Sequence, residues 1–209
     1  MYWGWIFLDI KEMSEKEKEI LISKYGKLNI QEEENPYRRF TVGVLDRFNK
    51  PLNIKEADDL LISFDPTDKG TQRNFFEQEA KFLTFFKVAY GMNGKKPVYV
   101  YCPDFFTLKS KAYSSMINTF NDRDKQLLKI LLKNNDLKNG AFIVENEELL
   151  KLFAKLSLRE ICFSNFFFDN SSTIIIGNYE LSFPIYCLHE FLMKSYERVA
   201  TEIGLFIRK

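Results

Sequence analysis

Three short apolar runs in the last quarter of the chain, separated by turn-forming residues, constrain the fold more strongly than any other feature. The runs cover Glu160 to Phe168, Thr173 to Ile176 and Tyr179 to Ile185, and Asp, Asn, Ser and Gly residues lie between them. Runs of this length joined by such residues are typical of strands connected by tight turns. The sequence therefore predicts an antiparallel meander in this region.

Other strand-like and helix-like patterns surround the meander. Cys187 to Phe206 keeps apolar residues on one helical face, which predicts a helix after the meander. Tyr2 to Ile10 is apolar on both alternating faces, so we expect Trp3 to Leu8 to form a central strand that is covered on both sides. Further strands are predicted at Phe40 to Leu45, Pro97 to Cys102 and Ala141 to Val144.

Helix signals occur between these strands. Ser14 and Glu17 form a capping box, and Gly26 suits the left-handed residue that often ends a helix. In the predicted helix from Arg73 to Tyr90, Phe85 and Val88 lie off the main apolar stripe. This helix therefore either packs against two neighbours or exposes part of its surface to a partner. The other predicted helices are Ile54 to Ile62 after Asn53, Arg73 to Tyr90, Leu108 to Phe120, Asp122 to Lys133, and Glu147 to Leu156 after Asn146.

The order of these elements is neither a regular alternation of strands and helices nor purely helical. We therefore expect an α+β fold in which a mixed sheet with a C-terminal antiparallel meander packs against several helices. An α/β fold is the main alternative. A chain of 209 residues suits a single domain over 1–209, and two lobes, 1–70 and 71–209, are the alternative organisation.

Composition excludes several classes of protein. The longest stretches without a charged residue reach ten residues, whereas a membrane helix needs about 18 or more apolar residues. The apolar start of the sequence lacks a basic leader and a cleavage pattern, so we expect a cytoplasmic protein that does not bind membranes. Cys102, Cys162 and Cys187 are dispersed in apolar sequence, which predicts buried, reduced thiols and no metal or cofactor site.

Three candidate catalytic features have simpler structural explanations. The loop from Asp65 to Lys69 has the composition of phosphate or metal loops, but it matches no known motif, and turns need the same residues. Glu79 and Lys81 would point about 200° apart on a helix, so they cannot share a metal, and Lys81 is better placed to pair with Glu77. His189, the single histidine, is expected to be packed or exposed at a helix start rather than catalytic.

Charge is distributed unevenly along the chain. Residues 71 to 140 contain 12 basic and six acidic residues, whereas the rest of the chain contains 18 basic and 23 acidic residues. A basic middle segment can face an acidic protein surface or a nucleic acid. The residues that we expect to contact a partner are Arg73, Lys87, Lys95, Lys96 and Phe85.

These features favour recognition over catalysis, because 33 residues are aromatic, charge is separated and no catalytic set converges. We predict a non-catalytic cytoplasmic protein that binds a protein partner with an acidic surface. It would neutralise or regulate this partner, as bacterial immunity proteins, antitoxins or phage-encoded inhibitors do. Two alternatives stay open: a metal-dependent enzyme that acts on a nucleotide or nucleic acid through the Asp65 to Lys69 loop, and a nucleic-acid-binding module that uses the basic middle segment.

Overall fold

One eight-stranded antiparallel sheet forms the centre of the computed structural model, which describes residues 10–30, 35–62, 64–109 and 114–209. The strands follow the order β1-β4-β3-β5-β6-β7-β2-β8 across the sheet. The sheet includes strands from both 1–70 and 71–209. The strand bounds are β1 (Ile10–Glu12), β2 (Thr41–Asp46), β3 (Val98–Tyr101), β4 (Ala141–Val144), β5 (Asn165–Phe168), β6 (Thr173–Ile176), β7 (Phe183–Cys187) and β8 (Phe206–Arg208).

The α+β class and the C-terminal meander are confirmed, since β5, β6 and β7 are consecutive neighbours. The sheet itself differs from the mixed sheet that the sequence suggested, because every pair of described strands is antiparallel. The connection from β3 to β4 explains part of this difference. Helical connections usually join parallel strands, but this one starts and ends at the same end of the sheet, so β3 and β4 are antiparallel.

Most of the predicted strand from Tyr2 to Ile10 lies outside the described residues. Its last residue begins β1, in which Ile10 lies opposite Val144 of β4. Within the described ranges β1 is the end strand of the sheet. The central position of Trp3 to Leu8 therefore stays a prediction.

The helices of the described residues lie between these strands and on both faces of the sheet. None of the helices within the described ranges is both long and apolar enough to cross a membrane. The α-helices are α1 (Glu15–Tyr25), α2 (Ile54–Leu60), α3 (Lys69–Met92), α4 (Ser114–Ile117), α5 (Asp122–Lys133), α6 (Glu147–Leu158) and α7 (Glu190–Ile203), and short 3-10 segments occur at Pro36–Arg38, Pro103–Lys109 and Asp169–Ser171.

Local capping signals correctly predict where several helices begin. At α1, Ser14 Oγ accepts a hydrogen bond from the Glu17 backbone N–H, and the Glu17 carboxylate accepts one from the Ser14 backbone N–H. Asn53 caps α2 and Asn146 caps α6, as the sequence predicted. Gly26 follows α1 with a φ of 97°, which L side chains rarely adopt.

Several helix boundaries differ from the sequence prediction by two or three residues, and three regions differ further. The long helix α3 begins at Lys69, because the Asp68 side chain caps it. The region from Leu108 to Phe120 contains the end of a 3-10 segment and the short α4, and residues 110–113 lie outside the described ranges. The last helix ends before Gly204, which has a φ of 79°, and the chain then forms β8 against β2.

Helices cover the two faces of the sheet unequally. α3, α5, α6 and α7 pack on one face and form the larger core with side chains such as Val100, Phe142 and Phe166. The smaller core on the other face contains Tyr25 of α1 and Phe167 of β5. All four residues of each of β4, β5 and β6 are buried, as expected of strands that are covered on both faces.

Aromatic rings fill much of the larger core. The Phe86 ring of α3 lies 4.8 Å from Phe166 and 5.4 Å from Phe183 between ring centroids. The Phe142 ring lies 5.3 Å from both Phe105 and Phe153. Aromatic side chains bury large apolar areas, so many of the aromatic residues counted in the sequence stabilise the core.

Candidate functional site: a basic groove between three helices

A groove of about 740 Å³ lies at the surface between α3, the start of α5 and α6. We call it the three-helix groove. Most of α6 is buried, and its exposed edge forms part of the lining. The charged lining residues are Lys87 of α3, Arg123 and Asp124 of α5, and Glu148, Lys151 and Lys155 of α6.

Two of these cations are held by acidic groups of the same chain. Lys155 Nζ donates to the Asp124 carboxylate, and both side chains are largely buried. Asn121 Nδ2 donates to the same carboxylate at 2.9 Å. Lys151, one turn before Lys155, pairs with Glu147. These lysines are therefore fixed and largely neutralised.

Lys87 and Arg123 differ from the other two cations of the groove. Both are exposed, and neither forms an ion pair within the described part of the chain. Arg123 is the second residue of α5, where the helix dipole favours acidic rather than basic side chains. The stability of α5 therefore does not account for a cation at this position, and the described residues leave both charges available to an anionic group.

The predicted basic contacts do not form one cluster. Lys87 lies in the three-helix groove. Lys95 and Lys96 are exposed and follow the C-terminal end of α3. Arg73 lies near the other end of α3, about 30 Å from them at a rise of about 1.5 Å per residue. One compact partner surface cannot be centred on all four residues.

Arg73 forms an exposed pair with Glu77, with 3.2 Å between Arg73 Nε and Glu77 Oε1. The predicted partner of Glu77 was Lys81, which lies four residues after Glu77, whereas Arg73 lies four residues before it. An exposed helical pair of this kind contributes about 0.2–0.5 kcal/mol. Arg73 is therefore a surface residue with little effect on stability.

The assignment of Phe85 to a partner surface needs correction. Its side chain is fully buried, and its ring centroid lies 5.6 Å from that of Tyr196 in α7. α3 packs against both α6 and α7, which explains its wide apolar stripe. Of the two explanations for this stripe, packing against two neighbours is the one observed for Phe85.

A buried ion pair joins α3 to the residue after α6, and the sequence did not predict it. Glu79 accepts hydrogen bonds from Arg159, which follows α6, and these two residues are 5% and 4% exposed. Glu79 lies four residues after Phe75 and three before Phe82, both of which are buried. A carboxylate that is buried in an apolar stripe needs a cationic partner. The position of Glu79 within the stripe could therefore have indicated a buried ion pair.

The carboxylates of the loop from Asp65 to Lys69 bind the backbone of their own loop. Asp65 Oδ1 accepts hydrogen bonds from the backbone N–H and the hydroxyl of Thr67, both at 2.7 Å, and these bonds lower the pKa of Asp65. Asp68 Oδ1 accepts from the Gly70 backbone N–H at 2.8 Å. Within the described residues, no three His, Cys, Asp or Glu side chains are grouped as a metal site would require.

The single histidine lies at the surface. His189 directly precedes α7, and its ring stacks on that of Phe191 with 5.6 Å between centroids. Cys187, two residues earlier, is buried in the sheet with its Sγ 3.7 Å from Thr173 Oγ1. His189 and Cys187 therefore do not form a catalytic pair.

The three cysteines are buried and free, as predicted. The sulfur atoms of Cys102 and Cys162 lie 3.4 Å apart, although 60 positions separate the residues in sequence. The contact with Cys102 and burial raise the pKa of the Cys162 thiol well above its usual value. A thiol that stays protonated is a poor nucleophile.

Comparisons with protein-family models, curated proteins and solved structures find no match to this chain. The function is therefore inferred from the geometry of the three-helix groove.

Proposed function

We propose that the chain is a non-catalytic protein-binding protein whose partner places an acidic surface against the three-helix groove. The observation that supports this proposal is that the groove contains two exposed cations, Lys87 and Arg123, without acidic partners among the described residues. Complementary charge across an interface accelerates association and selects the partner.

The lining of the groove favours a protein over a nucleic acid. Asp124 is already paired with Lys155, so the described residues of the groove offer two separate unpaired cations beside Glu148. Two separate cations match isolated carboxylates of a protein better than the continuous row of phosphates of a nucleic acid. None of the described lining residues is aromatic, so they provide no ring on which a base could stack. We therefore expect carboxylates of a protein partner to approach Lys87 and Arg123.

The proposed role is to neutralise or regulate this partner, in the manner of immunity proteins, antitoxins or phage-encoded inhibitors. A role without chemistry agrees with the local hydrogen bonds of Asp65 and Asp68 and with the exposed position of His189. The loop from Asp65 to Lys69 gives no support to a metal-dependent enzyme. Nucleic-acid binding is an outcome that the experiment below can reveal.

The test begins with affinity capture from nuclease-treated native cells and mass spectrometry of the bound proteins. The association rate of the purified partner is then measured at low and high salt. We expect this rate to fall with salt, because exposed charges are screened over about 8 Å at physiological ionic strength. Lys87→Glu with Arg123→Glu should lower the rate by about tenfold or more at low salt. The control, Lys16→Glu with Arg38→Glu, changes the net charge equally and should keep the wild-type rate.

An association rate that is unaffected by salt and by the Lys87 and Arg123 reversals would contradict the proposal. A second capture, made without nuclease, shows whether the chain binds nucleic acid. If nucleic acid is bound instead of protein, the slope of log affinity against log salt should fall by about two in the double variant. The chain would then be a nucleic-acid-binding module.

A further inference from the structure

A second groove, of about 410 Å³, lies beside α5 and is lined by different residues of that helix. We call it the lysine-row groove. Lys125, Lys129 and Lys133 are four residues apart, so they form a row about 12 Å long on one side of α5. Leu128 and Leu132 form a second row beside the first. The groove is therefore both basic and apolar.

The lysines of this row are only weakly compensated. Lys129 and Lys133 are exposed and form no ion pair with any described residue. Lys125 approaches Asp122 at 3.9 Å, and that aspartate is almost fully exposed. Ile117 and Leu132 add half-buried apolar surface between the cations. A matching occupant would present apolar and acidic side chains on one short segment.

The helix α2 of the same chain is such a segment. It has no buried residue, and Ile54 is 84% exposed. Asp58 and Asp59 are exposed and form no ion pair with a described residue. The capping box at Asn53 fixes the start of α2. The helix is therefore already ordered, and its binding costs little conformational entropy.

Two rows of α2 face in different directions. Ala57 and Leu61 line a cavity of about 260 Å³ within their own chain. Ile54 and Asp58 are four residues apart and lie on a neighbouring, exposed row. A seven-residue helix is about 10 Å long, which is close to the 12 Å length of the lysine row.

The distribution of charge favours contact between copies. Residues 71 to 140, which contain the lysine row, have six more basic than acidic residues, and the remaining residues have five more acidic than basic residues. The net charge of the whole chain is only +1, so two copies repel each other weakly. Oppositely charged parts of two copies can therefore approach.

We propose that copies of this chain associate head to tail, with α2 of one copy in the lysine-row groove of the next. The contact is heterologous, because each copy contributes a different surface to it. It is small, which places it among weak, reversible interfaces. It involves neither Lys87 nor Arg123, so it goes beyond the proposed partner binding and does not rest on it.

Sedimentation velocity on the full chain, at rising concentration into the millimolar range, tests this proposal. We expect the mean mass of the wild type to rise with concentration and to fall when salt is added. Lys129→Glu with Lys133→Glu should weaken association by more than about tenfold, as should Asp58→Lys with Asp59→Lys. Lys16→Glu with Arg38→Glu, which has the same charge change as the first variant, should associate as the wild type does.

Mixing the two variants gives the sharpest result. Each variant alone lacks one of the two surfaces and should remain monomeric. In an equimolar mixture, α2 of the Lys129 and Lys133 variant meets the intact groove of the Asp58 and Asp59 variant, so heterodimers should form. The two variants have net charges of −3 and +5 and therefore attract each other in general, so Ile54→Ser is added to the Lys129 and Lys133 variant as a control and should abolish the rescue.

A wild type that stays monomeric at every concentration would overturn the proposal, and so would association that neither double variant weakens. If either variant melts below the wild type, methyl NMR of the wild type replaces the mixing experiment. The Ile54, Ile117 and Leu132 methyl signals should then shift together with concentration. Concentration-dependent shifts confined to other residues would also contradict the proposed contact.

Discussion

The guanidinium of Arg159 and the carboxylate of Glu79 form a buried, bidentate ion pair. Arg159 Nε donates to Glu79 Oε1 at 2.7 Å, and Nη2 donates to Oε2 at 2.8 Å. A third nitrogen, Nη1, donates to Thr119 Oγ1 at 3.0 Å. The guanidinium carbon also lies 4.3 Å from the centroid of the Phe120 ring. The pair therefore joins α3 to the end of α6 through several directional contacts in a water-poor environment.

Breaking this pair should destabilise the fold strongly. Arg159→Met leaves the Glu79 carboxylate buried without its cation, which typically costs about 3–5 kcal/mol. Removing both charges with Glu79→Leu and Arg159→Met should cost less than the sum of the two single replacements. Urea denaturation measures all three free energies of unfolding. Arg73→Gln, which breaks an exposed pair, is the control and should cost less than about 0.5 kcal/mol. Additive costs would contradict direct coupling of the two groups.

Two glycines should respond in opposite ways to replacement by alanine. At Gly140 φ is 66°, and a Cβ atom would lie 2.3 Å from the backbone oxygen of Cys102. Gly140→Ala should therefore destabilise the protein by about 1–3 kcal/mol or more. At Gly91, in the last turn of α3, a Cβ atom would meet nothing within 4 Å. Gly91→Ala should raise the free energy of unfolding by up to about 1 kcal/mol, because alanine favours the helix. Thermal melting of both variants checks the opposite signs.

Alkaline pH should destabilise the fold through Tyr196. Burial raises the pKa of this phenol from 10.0 to about 12. Above pH 10 the unfolded chain releases this proton while the folded chain retains it, so stability falls as pH rises from 10 to about 12. Tyr196→Phe keeps the ring beside Phe85 and should reduce this loss when unfolding is measured across the range. Cys187, whose pKa burial raises to about 11, should account for part of the loss that remains. An unchanged alkaline profile in Tyr196→Phe would exclude this phenol as the cause.

Replacement of His189 should leave function intact. The imidazole is exposed, and its ring contact is with Phe191, which is itself 64% exposed. His189→Gln should change the free energy of unfolding by less than about 0.5 kcal/mol. It should also leave partner capture unchanged. Removal of a general acid or base typically lowers a rate by about 10²- to 10⁴-fold. A 100-fold loss of function in a variant that still folds would contradict the expectation that His189 is dispensable.

The parts of the fold that the sequence predicted depend on neighbouring residues. Ser14 with Glu17, and Asn146 with the start of α6, form hydrogen bonds over three positions, so their spacing is visible in the sequence. The strand from Ala141 to Val144 is apolar throughout and is observed with the predicted bounds. Outside the C-terminal meander the strand order was not predictable, because pairing there depends on contacts between residues that are far apart in sequence.

The candidate site shows the same limit. Lys87 was predicted from the charge of its segment, but its nearness to Arg123 and Lys155 follows from the packing of three separate helices. Phe85 was misplaced because a helical pattern identifies apolar faces and does not reveal how many neighbours cover them. Glu79 and Arg159 are 80 positions apart, so no local pattern connects them.

The position of β2 in the sheet has a consequence for the timing of folding during synthesis. β2 lies between β7 and β8, with Thr41 opposite Cys187 and Val44 opposite Arg208. At about 5–20 residues per second, the ribosome needs roughly 7–30 s to add the 146 positions between Thr41 and Cys187. Throughout that interval β2 has neither of its neighbouring strands, and its backbone groups are open to other nascent chains or to chaperones. The order of strands across the sheet thus makes one of the earliest strands among the last to be paired.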